Sequence, residues 1–126
     1  MSGLRSRNKG KSGERELAIK LSALLGVQCR RGQQFSGLEG RDVVGVDGLH
    51  IECKRTEKLN LYNAINQAVR DARNDDLPVV CHRRSRADWL CVLRLADITR
   101  FARVIQQIEP SAKPANEEDE LCQEQD

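Results

Sequence analysis

Apolar residues recur along this chain in two rhythms, one near 3.6 residues and one of 2, and the switches between them lay out the elements. Leu17, Ala18, Leu21, Leu24 and Leu25 form a helical stripe. Ser12 is placed to cap that helix and Gly26 to stop it. Extended one turn backward, the stripe reaches Glu14, because positions 14, 17, 18, 21 and 25 lie on one helical face. Glu14 is therefore expected to point into the domain. Residues 27–34 read as a strand and residues 35–40 as a glycine-rich loop. Two short β runs follow, one at 43–46 and one from Leu49, separated by Asp47-Gly48. Asn60 then caps a helix with an apolar stripe of Leu61, Ala64, Ile65, Ala68, Val69 and Ala72. Pro78 opens a strand to Arg83, a basic turn follows, and residues 89–95 read as another strand. Asp97 is expected to cap a last helix with Ile98, Phe101, Ala102, Ile105 and Ile108 inward. The order is α-β-β-β-α-β-β-α, which predicts an α/β domain with a mixed central sheet flanked by helices.

The hairpin has two possible registers. A two-residue Asp47-Gly48 loop pairs Val43 with Glu52 and puts Asp42 on the other face. A three-residue loop of Val46, Asp47 and Gly48 pairs Asp42 with Glu52. That loop needs a residue at positive φ, and Gly48 supplies it without steric cost. It also sorts the side chains: Asp42, Val44, His50, Glu52 and Lys54 on one face, Val43, Gly45, Leu49, Ile51 and Cys53 on the other. The apolar second set reads as the core face, which favours the register that gathers the charges. An exposed salt-bridged hairpin fits the same spacing, so spacing alone does not choose between structure and chemistry.

At 126 residues the chain is one domain. Aromatic residues are 3% of it, so the core must be aliphatic. The formal charge of +2 conceals an asymmetry. Residues 109–126 hold seven acids and one base, leaving residues 1–108 at net +8. A basic body with an acidic tail points to a polyanion partner, nucleic acid first. Residues 1–11 read as a flexible basic arm with Arg5, Arg7, Lys9 and Lys11, residues 12–108 as the folded domain, and residues 109–126 as a disordered acidic tail. The five cysteines form no C-x-x-C pair and suit reduced thiols, not a zinc site or disulfide framework. No signal sequence or membrane-spanning run is present, so a cytoplasmic setting is expected.

Two carboxylates and an ammonium on one sheet face are costly unless something binds there. Magnesium is held by one or two carboxylates plus substrate phosphate oxygens, a role that suits Asp42 and Glu52, with the Cys53 carbonyl as a further ligand. Lys54 is placed to position a water or to neutralise charge growing on a phosphate. The arm residues together with Arg30, Arg31, Arg83, Arg84 and Arg86 are candidates for holding a nucleic-acid backbone.

Glu14, Asp42 and Glu52-x-Lys54, laid on helix, strand and strand, resemble the PD-(D/E)XK nuclease superfamily. The likeness is nearest to the archaeal and phage Holliday-junction resolvase branch. Lys9-Gly10-x-x-Gly13-Glu14-Arg15-Glu16-Leu17 is similar to that branch's opening. Arg30-Arg31, Phe35-Ser36-Gly37 and Arg41-Asp42-Val43-Val44 are similar to its strand, loop and metal aspartate, and Ile51-Glu52-Cys53-Lys54 to its third motif. The resemblance spans residues 9–73. It implies a restriction-endonuclease-like fold, magnesium or manganese bound by Glu14, Asp42 and Glu52, catalysis by Lys54, and Ser36 beside the scissile phosphate. Gln67 falls where many members carry a helix glutamine that supports the metal site. The chain departs from the pattern at Arg41, where proline is usual, at Leu38 in the loop, and at Asp71, four residues after Gln67. The expected activity is metal-dependent cleavage of branched double-stranded DNA by a homodimer, in a prokaryotic or phage-infected cell, with no membrane and no small-molecule cofactor beyond the metal. The alternatives are a nicking or repair nuclease acting on linear or flapped DNA, and a non-catalytic DNA-binding module.

Overall fold

The computed structural model describes residues 2–32, 41–73 and 75–110, with side chains from residue 10 onward. Helix α1 is Ser2–Leu25, strand β1 Arg30–Arg31, β2 Val43–Val44 and β3 Leu49–Arg55. Helix α2 is Leu61–Asp71, followed by β4 Leu77–Arg83, β5 Leu90–Val92, a 3-10 turn at Leu95–Asp97 and helix α3 Ile98–Gln106. The element order matches the expected α-β-β-β-α-β-β-α. The strands form one sheet in the order β1-β2-β3-β4-β5. Among the described strands only the β3–β4 pair is parallel, and α2 makes the crossover that a parallel pair requires.

The hairpin takes the three-residue-loop register. Val43 stands opposite Ile51, which sets Asp42 level with Glu52. Gly48 adopts φ +92°, and the Leu49 N–H donates to the Val46 carbonyl at 3.3 Å.

The core is split by the sheet into two layers. On one face Leu17 and Ala18 of α1 pack with Val43, Leu49, Ile51, Leu77 and Val79, and Phe101, Val104 and Ile108 close over them. On the other, Ala64, Ile65 and Ala68 of α2 pack on Val80. Burying one such aliphatic side chain stabilises the fold by about 1.5–3 kcal/mol, so these two layers carry most of the favourable energy. Strand β3 is thus covered on both faces. The face expected to be charged is also interior: His50 is 1% and Glu52 3% exposed.

Several boundaries differ from expectation. α1 begins at Ser2 and not at Ser12; residues 2–11 hold no proline, and Gly3 and Gly10 weaken a helix without ending it. The expected basic arm therefore runs as helical backbone. Strand β1 is two residues long within the eight expected, and β5 covers only the middle of 89–95. In α3, Ile98 and Ala102 face solvent while Val104 packs inward. Asp97 precedes α3 but makes no capping hydrogen bond. Its carboxylate, buried, accepts from Arg94 Nε at 2.9 Å and pairs with Arg100 at 3.8 Å. Two guanidinium partners outcompete one backbone N–H for it. Leu24 is exposed too, one position off the packed stripe. Four of the cysteines are free thiols: Cys81 is buried, Cys91 exposed, and Cys29 and Cys53 lie between. Cys122, Ser36 and the tail beyond Pro110 lie outside the described residues. No helix of the described residues is long and apolar enough to cross a membrane.

Candidate active site

The site forms where β2 and β3 part company. Cys53 N–H donates to Asp42 Oδ2 at 2.7 Å, so a side-chain carboxylate takes a position that a strand carbonyl fills in a regular ladder. Asp42 is further held through its backbone: its N–H donates to the Ile51 carbonyl at 3.0 Å, and its carbonyl accepts from Gly32 N–H at 2.8 Å. The backbone is fixed on both sides of the residue, which sets the carboxylate at the mouth of the split.

Glu52 stands beside it. Burial, more than any charge, raises the Glu52 carboxyl above its ordinary range, with the Asp42 charge and a hydrogen bond to Asp42 pushing the same way and His50 opposing. His50 Nε2 lies 2.8 Å from Glu52 Oε1 and in its Nε2–H form donates to the carboxylate. Glu14 approaches from α1. Its carboxyl is also raised, by burial first and the Asp42 charge second, against a lowering by Arg31. Arg31 Nε donates to Glu14 Oε1 at 2.7 Å. Asp42 is thus the shared electrostatic neighbour of both glutamates. The Cys53 thiol is pushed up to about 12, chiefly by burial and then by Asp42 and Glu14, so it stays protonated; its carbonyl, not its sulfur, is the candidate ligand.

Lys54 lies on the Glu52 face of β3, and its Nζ donates to Gln67 Oε1 on α2 at 2.8 Å. Strand and helix together fix the ammonium at one end of an open cleft of about 410 Å³ that runs beside α2. Gln67, one of several polar residues along the α2 sequence, is a direct partner of the candidate catalytic lysine.

The arginines divide. Arg31 is committed to Glu14. Arg83 binds Glu16 and donates to the Ala87 carbonyl at 2.7 Å, and Trp89 Nε1 also donates to Glu16, at 3.0 Å. Glu16 is therefore a fastener between α1 and the β4–β5 turn. Arg30, Arg84, Arg86 and Lys11 are surface residues; Arg5, Arg7 and Lys9 lie on the first turns of α1, where only the backbone is described. His50 and the Glu14–Arg31 pair were not singled out from sequence. His50 had a usable signal, since it sits two residues before Glu52 on the same strand face.

Among the described residues no group of three or more His, Cys, Asp or Glu side chains is set to hold one metal ion. Asp42 and Glu52 are the adjacent pair, while Glu14 is occupied by Arg31. Two neighbouring carboxylates with a backbone carbonyl are hard oxygen donors of the kind that suit magnesium or manganese, so the donor set fits such an ion with fewer protein ligands than expected.

Comparison with known families decides the relationship. A family model described as "Phage putative PDDEXK endonuclease" matches residues 5–120. The chain belongs to this family. No curated protein and no solved structure matches it. The mixed five-stranded sheet with three helices is consistent with the restriction-endonuclease-like fold of such enzymes.

Two expectations follow from the geometry. Asp42→Asn keeps an oxygen for the Cys53 N–H and removes the charge that, after burial, raises both glutamates. It is expected to raise the melting temperature by about 4–8 °C, equivalent to about 1 kcal/mol in a domain of this size. A carboxyl raised in the fold favours the folded state below its ordinary range and withdraws that support as pH rises through its folded value. The gain from Asp42→Asn is therefore larger at neutral pH than in acid; an equal gain at both would count against the charge explanation. Second, Gln67→Leu unties Lys54, and a charge-assisted hydrogen bond is worth about 1.5–3 kcal/mol. Cleavage is expected to fall about tenfold or more with the fold intact by circular dichroism.

Proposed function

We propose that this endonuclease is a magnesium-dependent, structure-selective enzyme that cuts branched DNA, resolving four-way junctions as a homodimer. The single observation that carries the hydrolytic part is the Asp42–Glu52 pair in the β2–β3 split with Lys54 anchored beside it. Asp42, Glu52 and the Cys53 carbonyl would hold the cation. Glu14 would join them only by leaving Arg31. A divalent ion there supplies water acidified toward neutral pH. Lys54 brings a fixed positive charge to the phosphate as negative charge builds on it. A bound cation would also offset the Asp42 charge that adds to burial in raising the Glu52 carboxyl.

Support for the junction comes from the resemblance of residues 9–73 to the resolvase branch. Two symmetric cuts across a four-way junction call for a two-fold dimer. Residues 2–11 add two to three helical turns to α1 and carry Arg5, Arg7, Lys9 and Lys11. They supply a basic element for phosphates.

The test compares cleavage of a synthetic four-way junction, a flapped duplex and a linear duplex of the same sequences, with magnesium, on a denaturing gel. Paired symmetric nicks confined to the junction support resolution. Equal cutting of linear duplex overturns the junction preference and leaves a general nuclease. Binding is expected to weaken steeply with salt; a flat response from low to moderate salt contradicts a phosphate-dominated interface.

A further inference from the structure

The outer face of α2 has no role in the chemistry above. From Lys58 to Arg70 the sequence contains no acidic residue, although nearly a third of the chain is charged. Asn63, Asn66 and Arg70 are exposed along the cleft that ends at Lys54 and Gln67. Their spacing of three and four places them on one helical face. Beside them stands Tyr62, the single tyrosine of the chain and 78% exposed. Tyr62 and Asn66 are one helical turn apart.

Each feature has a matching property in a nucleic-acid strand. Amide side chains donate to phosphate and sugar oxygens, and an arginine pairs with phosphate. A carboxylate-free wall avoids repelling the backbone. An exposed ring offers a stacking platform to an unpaired base. The cleft is continuous with the anchored lysine, so a strand lying in it leads directly to the reacting position.

We infer that the α2 cleft binds the DNA strand leaving the cleavage site and that Tyr62 stacks on an unpaired base of that strand. The inference rests on the nuclease reading and deepens it by naming what selects a substrate with unpaired nucleotides. Asn63, Asn66 and Arg70 hold the backbone of any strand. Tyr62 adds affinity only where a base is free to leave its stack. Val69, partly exposed on the same side of the helix, gives the patch some apolar area, so a protein contact through it is the competing outcome.

The experiment is fluorescence anisotropy in EDTA with a labelled duplex and the same duplex carrying a single-stranded flap. Wild-type protein is expected to bind the flapped DNA more tightly. Stacking is worth about 1–3 kcal/mol per base, so Tyr62→Ala should lose about 5- to 160-fold on the flapped DNA and little on the duplex. Tyr62→Phe should retain the preference. The triple substitution of Asn63, Asn66 and Arg70 by alanine should weaken both DNAs. Unchanged flap binding by Tyr62→Ala overturns the stacking role. A change in molecular mass by light scattering, with DNA binding intact, overturns it in favour of a protein interface. Wild-type protein that cuts DNA with magnesium while all variants bind normally sinks this inference alone. Wild-type protein that neither binds nor cuts sinks the nuclease reading with it.

Discussion

Lys54→Ala is expected to lower DNA cleavage by 10²–10³-fold or more while DNA binding in EDTA changes little. That size is typical of removing one preorganised stabiliser of charge that develops during reaction. The geometry makes the lysine preorganised: Gln67 holds its Nζ at 2.8 Å, and β3 is buried on both faces up to Glu52, so the strand cannot shift to compensate. The exposed part of Lys54 contributes little to stability, and circular dichroism and melting should remain near wild type. Single-turnover cleavage at saturating protein isolates the chemical step from binding. A variant that cuts at the wild-type rate under those conditions removes Lys54 from the site. Lys54→Arg is expected to rescue only in part, since a planar guanidinium cannot occupy the same point next to Gln67.

Gly32→Ala should damage fold and activity together. A Cβ at residue 32 would lie 2.1 Å from the Arg41 carbonyl oxygen and 3.6 Å from that of Asp42. The obstacle is backbone, so no rotamer change relieves it. Gly32 also gives its N–H to the Asp42 carbonyl, and any displacement is passed straight to the carboxylate at the mouth of the split. Overpacking of this kind costs about 1–3 kcal/mol, or a fall of roughly 4–20 °C in melting temperature. A misplacement near 1 Å is enough for about a hundredfold loss of rate. Full cleavage by a stably folded Gly32→Ala protein would show that Asp42 is not held from β1.

The hairpin was the most legible part of the site. Its register followed from two constraints that agree: a glycine suited to positive φ and an alternation that separates Val43, Leu49 and Ile51 from the acids. Glu14 was reachable for a similar reason, because Leu17, Ala18 and Leu21 define a face and 14 lies on it. What the alternation did not reveal was the burial of Glu52 and His50. Their strand reads as one-sided, and the cover is α2, brought over by the parallel crossover to β4. Pairings across long separations were likewise hidden. Lys54 meets Gln67, Arg31 meets Glu14, and Glu16 fastens Arg83 and Trp89, each joining segments that local periodicity treats separately. Helix ends were legible only where local signals acted unopposed. Asn60 caps α2 as expected and accepts from Asn63 N–H, whereas Asp97 is drawn off by Arg94 and Arg100. At Ser12 a good capping residue sits inside a helix that simply continues.

The division of the carboxylates has a chemical consequence. Burial and then the Asp42 charge raise the Glu52 carboxyl, so it holds its proton more readily than an ordinary carboxyl, while Glu14 is paired with Arg31. A cation that replaces the proton gains from both carboxylates at once. Binding of the cation and loss of the Glu52 proton are therefore coupled, and cation affinity is expected to rise as pH increases through the folded-state value of Glu52.

The most direct measurement follows end-labelled four-way junction DNA on a denaturing gel with wild-type protein and with Glu52→Gln, each in magnesium and in EDTA. The account predicts new DNA ends from wild-type protein in magnesium alone, none from Glu52→Gln, and retained binding by both in EDTA. Cleavage by Glu52→Gln at the wild-type rate, or by wild-type protein in EDTA, would contradict it.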